Sequence, residues 1–185
     1  MLVFSEGPLL TVELTINNRG VECCTLLPES SQKGLSLNVI DKNKSNNYKL
    51  KDQIVLWIES YTKKAPTCID FPLIFPSFPL FTQTVLQHLS QIPFGSTKSY
   101  GDVATKINAP SAFRAVGTAC GRNPFPLLIP CHRVIAANGQ LGGFAMDFHI
   151  KKALLRFENL EILTICSDKL YTQTSSRARA CHQLI

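Results

Sequence analysis

Cys131, His132 and Arg133 stand side by side at the end of Pro124-Phe125-Pro126-Leu127-Leu128-Ile129-Pro130-Cys131-His132-Arg133-Val134, an apolar run pinched between prolines. Proline fixes its own φ and restricts the residue before it, so the backbone approaching the cysteine is stiff. A stiff apolar approach suits a thiol held in one position. The reactive form of cysteine is the thiolate, and a free thiol with a pKa near ~8.5 needs a base or a positive charge to form it at neutral pH. His132 and Arg133 are residue types that supply those. In an extended segment adjacent side chains point to opposite faces, so His132 is badly placed to touch the Cys131 sulfur directly. A water between them meets the geometry, and a carboxylate then orients the imidazole. Glu158 is the candidate, being one of only three acids in residues 78–160. Asn123, ahead of the Pro124-x-Pro126 turn, can hold the local hydrogen bonds of the segment.

The elements that must carry these residues follow from periodicity. Leu10, Val12, Leu14 and Ile16 alternate with polar residues, Asn17-Asn18-Arg19-Gly20 interrupts, and Val21, Cys23, Thr25 and Leu27 resume the period of two. This predicts a hairpin with one buried face, and Leu35 to Ile40 predicts a third strand. Asp52 is expected to cap a helix with Ile54, Trp57, Ile58 and Tyr61 inward, and Phe71 to Pro79 reads as an extended, packed linker. This first part looks like scaffold. From Leu80, Phe81, Val85, Leu86 and Leu89 recur at helical spacing. Ser99 can cap a second helix to Ile107, and Ser111 starts a third that runs to about Gly121. Two short helices joined by a tight turn after a longer one have helix-turn-helix spacing. The third is slim, rich in Ala, Gly and Thr, so that Arg114 protrudes from it. Ala136-Ala137-Asn138-Gly139 predicts a type I′ turn, and Asp147 caps a last helix with Ile150, Leu154, Phe157 and Leu160 inward.

The whole chain bounds what these elements do. At 185 residues with 45% hydrophobic and 17% charged content, it reads as one large or two small globular domains. Seven cysteines, an odd count, without Cys-x-x-Cys spacing or a recognisable secretory signal, argue against a disulfide framework or structural zinc, and for the cytoplasm. No apolar run reaches the ~20 residues a membrane-spanning helix needs. The net charge of +6 is uneven. Residues 1–77 hold eight Lys/Arg against eight Asp/Glu, whereas residues 78–160 hold eight against three, a net +5 around Cys131. That excess points to a polyanionic partner.

Ile129-Pro130-Cys131-His132-Arg133-Val134 resembles the active-site signature of the methylated-DNA–protein-cysteine methyltransferases, the O6-alkylguanine-DNA alkyltransferases. The similarity extends in order and spacing through Gln91-Ile92-Pro93-Phe94-Gly95, Ser99-Tyr100, Arg114-Ala115-Val116-Gly117, Asn123-Pro124, Asn138-Gly139 and Leu154-Leu155-Arg156-Phe157-Glu158. The resemblance implies an α+β protein with an N-terminal ribonuclease-H-like α/β domain over 1–77 and a winged-helix-like DNA-binding alkyltransferase domain over 78–160. Residues 161–185 are left as a C-terminal tail without clear periodicity. It also implies irreversible, single-turnover transfer of an alkyl group from O6-alkylguanine, with O4-alkylthymine as a further substrate class, to Cys131. Asn123, Cys131, His132 and Glu158 match the chain that generates the thiolate, and Tyr100 matches the residue that helps swing out the base and protonates the departing guanine. Arg114 matches the side chain that replaces the extruded nucleotide, and Thr82 a contact to the DNA backbone. No cofactor or metal is implied, and the partner is double-stranded DNA carrying alkylated guanine, met by a monomer. This chain departs from the pattern in the substrate loop, where Phe144, Ala145 and Met146 line the expected pocket and Met146-Asp147 stands in place of a usual Gly-Gly pair. The competing expectation is a non-catalytic sensor of alkylated DNA.

Overall fold

The structure, a computed structural model, describes residues 1–28, 34–44, 47–142 and 147–158. The alternating segments form a mixed sheet. Strands β1 (Leu2–Phe4), β2 (Leu10–Asn17), β3 (Gly20–Pro28) and β4 (Leu35–Asp41) lie in the order β1-β4-β2-β3. β2 and β3 are the predicted antiparallel hairpin, while β4 runs parallel to β2 and antiparallel to β1. The short β1 is not foreseen from the sequence, because three residues cannot show a period. On β2 the expected pattern holds: Leu10, Val12, Leu14 and Ile16 are all fully buried.

On β3 it does not. The pairing register shifts between Thr15, opposite Cys23, and Ile16, opposite Val21, so Glu22 is an extra residue on β3. Such a bulge exchanges the two faces of a strand. Beyond it Cys24 and Leu26 are buried, whereas Cys23 and Thr25 are half-buried and Leu27 is exposed. The exchange has a use, because the inward Cys24 meets the loop that leads to Cys131. Its amide donates to the Pro124 carbonyl at 2.8 Å, and its thiol donates to that of Pro126 at 3.0 Å. Cys24, Cys68, Cys120 and Cys131 are free thiols, while Cys23 is disulfide-bonded, a departure from the expectation of a wholly reduced set.

Helix α1 (Tyr48–Thr62) is capped by Asn47, whose side chain accepts from the Leu50 amide at 3.2 Å; Asp52, the expected cap, lies a turn inside. Its Leu50, Ile54, Trp57, Ile58 and Tyr61 join the β2 side chains in one buried cluster, which continues into the second half through Val85, Leu86, Val103, Val116 and Phe125. The proline-rich linker is fastened to β3: Val21 donates to the Pro72 carbonyl at 2.9 Å and Ile74 donates back to the Val21 carbonyl at 2.8 Å.

Helices α2 (Leu80–Leu89), α3 (Tyr100–Lys106) and α4 (Phe113–Gly121) follow the predicted spacing. Ser99 caps α3 in a reciprocal box with Asp102, and Asn108 ends the turn beyond it at φ 58°. A two-residue parallel ladder, β5 (Lys98–Ser99) with β6 (Val134–Ile135), pins the start of α3 beside the segment that follows Cys131. The turn at Ala136 to Gly139 is not type I′: Gly139 has φ 76°, but neither Ala137 nor Asn138 takes a positive φ. Helix α5 (Phe148–Phe157) is capped by Asp147 and buries Ile150, Lys151, Leu154 and Leu155. Leu160 and the tail 161–185 lie outside the described residues. Among the described residues no helix is long and apolar enough to cross a membrane.

At Gly20 the linker passes close against β3. It has φ 153°, and a Cβ there would stand 2.4 Å from the Pro72 carbonyl oxygen. Gly20→Ala is expected to destabilise the fold by more than about 1 kcal/mol, lowering Tm by about 2–4 °C or more. Thermal unfolding measures it, and an unchanged Tm would overturn the importance of this contact.

Candidate active site

Cys131 opens a single 3-10 turn, Cys131–Arg133, that follows the loop from Pro124. The loop is held from within. Ile129 donates to the Phe125 carbonyl at 2.7 Å, the Asn123 side-chain amide donates to the Ile129 carbonyl at 2.8 Å, and the Phe125 amide donates to the Asn123 oxygen at 3.0 Å. Leu127, 2% exposed, takes φ 73°, a conformation uncommon for a large side chain. Burial of this leucine and the ties to Cys24 hold that backbone in place.

The 3-10 turn, rather than an extended strand, sends Cys131, His132 and Arg133 inward together, and all three are buried. His132 and Arg133 both reach Glu158 at the C-terminal end of α5. The Nε2 of His132 lies 2.8 Å from Oε1 of Glu158. Arg133 donates from Nη2 to Oε1 at 3.0 Å and from Nε to Oε2 at 2.9 Å, while its Nη1 donates to the Ile92 carbonyl at 2.7 Å. The Gly95 amide donates to Oε2 at 3.2 Å, and the Tyr61 hydroxyl donates to Oε1 at 3.1 Å. Burial alone would raise the Glu158 pKa, but the hydrogen bonds and charges of His132 and Arg133 hold it at about 2. The carboxylate is therefore ionised and acts only as an acceptor, so Nε2 of His132 carries the proton. Burial, aided by Arg133 and Lys151, keeps the His132 pKa below the ordinary range against the pull of Glu158, leaving a neutral imidazole with its lone pair on Nδ1. That nitrogen is buried and has no hydrogen-bond partner among the described residues.

Burial likewise pushes the Cys131 thiol up. Against it work a hydrogen bond from the Asn123 side chain, the Lys151 ammonium and the amides of Cys131 and His132. Lys151 is fully buried on α5 and donates to the carbonyls of Val134 (2.7 Å) and Leu141; burial brings its pKa down to about 8. Its ammonium stands 6.0 Å from the centroid of Tyr100, the first residue of α3. Burial and the neighbouring Cys120 and Cys131 push the Tyr100 hydroxyl up to about 12, so it remains a phenol.

The structure thus brings Asn123, Cys131, His132, Glu158 and Tyr100 to one place. Arg114 projects from the exposed side of α4, its guanidinium 5.6 Å from the Phe113 ring, with Ala115 and Thr118 exposed beside it. Thr82 lies apart from these, 4% exposed on the inner side of α2, which withdraws its side chain from the surface. Phe144, Ala145 and Met146 lie outside the described residues. Three residues have roles that the pattern of the sequence hides. Tyr61 reads as one more member of an apolar stripe, and the first part of the chain as scaffold only. Lys151 looks like a surface charge beside Lys152, although its place one residue after Ile150 and three before Leu154 puts it on the buried side. Arg133 reads as a source of positive charge, not as a two-point clamp.

Residues 80–160 match the family model of the 6-O-methylguanine DNA methyltransferase DNA-binding domain. Among curated relatives, the methylated-DNA–protein-cysteine methyltransferase of Mycobacterium leprae is 49% identical over 84 residues, 45% of this chain and 51% of that protein. That of Methanosarcina mazei is 49% identical over 78 residues, 42% and 49% of the two chains. The chain thus spans about half the length of these relatives. The enzyme of Methanosarcina barkeri aligns much further, at 34% identity over 153 residues, 83% of this chain and 93% of the relative. Among solved structures, Mycobacterium tuberculosis OGT in complex with DNA superposes with a TM-score of 0.60 at 30% identity, covering 80% of this chain and 92% of its own. The family model covers the residues around Cys131, and the M. barkeri enzyme aligns over 93% of its length at 34% identity; on these matches the chain belongs to the methylated-DNA–protein-cysteine methyltransferase family.

Proposed function

We propose that the protein is a single-turnover DNA repair alkyltransferase that moves the alkyl group of O6-alkylguanine to the sulfur of Cys131. The observation that carries the reading is the buried line Glu158–His132 beside Cys131, in which an ionised carboxylate holds a neutral imidazole with its free nitrogen unpaired. In the proposed reaction the thiol proton passes to Nδ1 of His132 through a water, as the family resemblance implies. Asn123 and Lys151 stabilise the thiolate that remains. The sulfur–carbon bond forms as the carbon–oxygen bond breaks, the electron pair leaves with the guanine, and the proton given up by the thiol is returned to the base. Tyr100, still a phenol, donates toward the departing guanine as negative charge develops on it. Alkyl donor and acceptor are both present at the start, so no cofactor enters. A thioether has no ready return path, so each molecule acts once.

The partner is duplex DNA. A base inside the stack is out of reach of a buried thiol, and extruding it costs a few kcal/mol. The exposed, slim side of α4 is the element proposed to enter the groove, with Arg114 filling the space of the extruded nucleotide. The net +5 of residues 78–160 adds phosphate contacts whose strength falls with salt. In the finer fold reading, residues 1–77 are the ribonuclease-H-like half and residues 78–160 the winged-helix-like half, acting as a monomer. The DNA-binding part of the proposal is supported by the match of residues 80–160 to a DNA-binding-domain model and by the likeness to the DNA-bound OGT of M. tuberculosis. Burial of Thr82 gives no support to its assignment as a backbone contact.

Three outcomes test the proposal. Incubation with an equimolar duplex bearing O6-methylguanine should add one CH2 mass to the peptide carrying Cys131, and Cys131→Ala should abolish it. Tight binding with an unmodified peptide would replace the reading with that of a lesion sensor. In single-turnover kinetics the rate should fall about tenfold per pH unit once His132 becomes protonated, below its ordinary ~6.5, while Glu158 stays ionised down to about 2. A rate whose pH dependence does not follow the NMR titration of the His132 ring would exclude His132 as the base. Glu158→Gln should slow transfer by roughly 10²–10⁴-fold and, by leaving Arg133 buried without its counter-charge, destabilise the fold by about 3–5 kcal/mol. Because folding depresses the Glu158 pKa, its contribution to stability is present above the unfolded value of 4.5 and is lost as pH falls from there toward about 2.

A further inference from the structure

Tyr61 belongs to α1, in the first half of the chain, yet its hydroxyl ends on the same carboxylate oxygen that holds His132. Oε1 of Glu158 receives three donors: Nε2 of His132 at 2.8 Å, Nη2 of Arg133 at 3.0 Å and the Tyr61 hydroxyl at 3.1 Å. The phenol has no freedom to leave. It is fully buried, with the Trp57 ring stacked at 5.9 Å, the Phe94 edge at 5.6 Å and Phe157 at 5.5 Å. Trp57 is in turn tethered by its indole N–H to the Thr67 carbonyl at 3.0 Å. Charged and polar groups facing this cluster are Arg133, whose guanidinium lies 5.7 Å from the Phe94 centroid, and Lys64, whose ammonium lies 5.2 Å from that of Phe157. Burial and the Glu158 charge both oppose ionisation of Tyr61, so its proton stays on the phenol and points at Oε1 throughout the working range.

Donors that share one acceptor oxygen compete for its electron density. Each one added leaves the oxygen less basic toward the others. A carboxylate that draws less strongly on the Nε2 proton leaves Nδ1 less basic.

We propose that Tyr61 is a positioning residue that sets the basicity of His132 through Oε1 of Glu158, so that the first half of the chain tunes the proton acceptor of the second. This rests on the alkyltransferase reading for its consequence in catalysis, but the coupling itself is measurable without turnover. It differs from a packing role, which would alter stability and leave the imidazole unchanged.

The test is the titration of the His132 ring, followed by NMR of the labelled imidazole in the full chain, alongside single-turnover methyl transfer and Tm. In Tyr61→Phe, which keeps the ring and removes the hydroxyl, Oε1 has one donor fewer. The His132 midpoint should rise by about half a pH unit, and transfer on the acid side of the profile should slow about three-fold at a given pH. Ile54→Val, which loosens the same helix and keeps the hydroxyl, should lower Tm without moving the midpoint. Placing 3-fluorotyrosine at position 61, a stronger donor of the same shape, should move the midpoint downward, and this second variant decides the question if Tyr61→Phe does not fold. An His132 midpoint that stays fixed in the folded position-61 variants would overturn the proposal, as would an equal rise in Ile54→Val. Whether the unaltered protein transfers methyl at all is read separately, so failure of the alkyltransferase reading and failure of this coupling give different results.

Discussion

The fold depends on the burial of one carboxylate. Glu158 caps the C-terminal end of α5, where the helix dipole already disfavours negative charge, and it is only 2% exposed. An uncompensated charge there would cost several kcal/mol. Five hydrogen bonds offset that cost, and they come from three other pieces of chain: α1 through Tyr61, the turn after α2 through Gly95, and the 3-10 turn through His132 and Arg133, all converging on α5. Charge-assisted bonds of this kind are short and directional. The need to satisfy one anion therefore fixes the relative positions of parts that are up to 97 residues apart in sequence.

The thiol lies in the opposite situation. Its surroundings disfavour the anion by burial and favour it only through Asn123, Lys151 and two amides. A cysteine so placed is inert toward adventitious electrophiles and oxidants, which attack exposed thiolates. On the proposed reading, reactivity is conferred by the pairing of a ready base with a substrate delivered into the pocket, and an acceptor that is used once is not consumed by the wrong donor.

Much of this is legible from residues alone, and the misses have definite causes. The alternation Leu10-Val12-Leu14-Ile16 marks β2 because each polar neighbour agrees with it, and Ser99 with Asp102 announces a capped helix. The partnership of His132 and Glu158 is reachable by scarcity, there being so few acids in a basic region. The inward turn of Cys24 is not, since one extra residue at Glu22 reverses the face of β3 and composition carries no mark of it. Local propensity makes Asp52 and Asn47 comparable caps, and tertiary position selects Asn47. Tyr61 is the instructive case. Its ring satisfies the apolar period so well that its hydroxyl escapes notice, although the hydroxyl of a buried tyrosine usually needs a partner.

The attachment of β3 to the Cys131 loop is made largely by main-chain groups: the Cys24 amide on the Pro124 carbonyl, with the neighbouring Val21–Pro72 and Ile74–Val21 pairs extending the same edge. Such bonds read the path of a backbone and are nearly blind to which side chains it bears. At this edge the path of the backbone is thus more constrained than the side chains it carries. A chimera that joined residues 78–160 to a foreign partner would have to reproduce that edge, the phenol of Tyr61 and the apolar face through which β2 and α1 share the buried cluster of the second half.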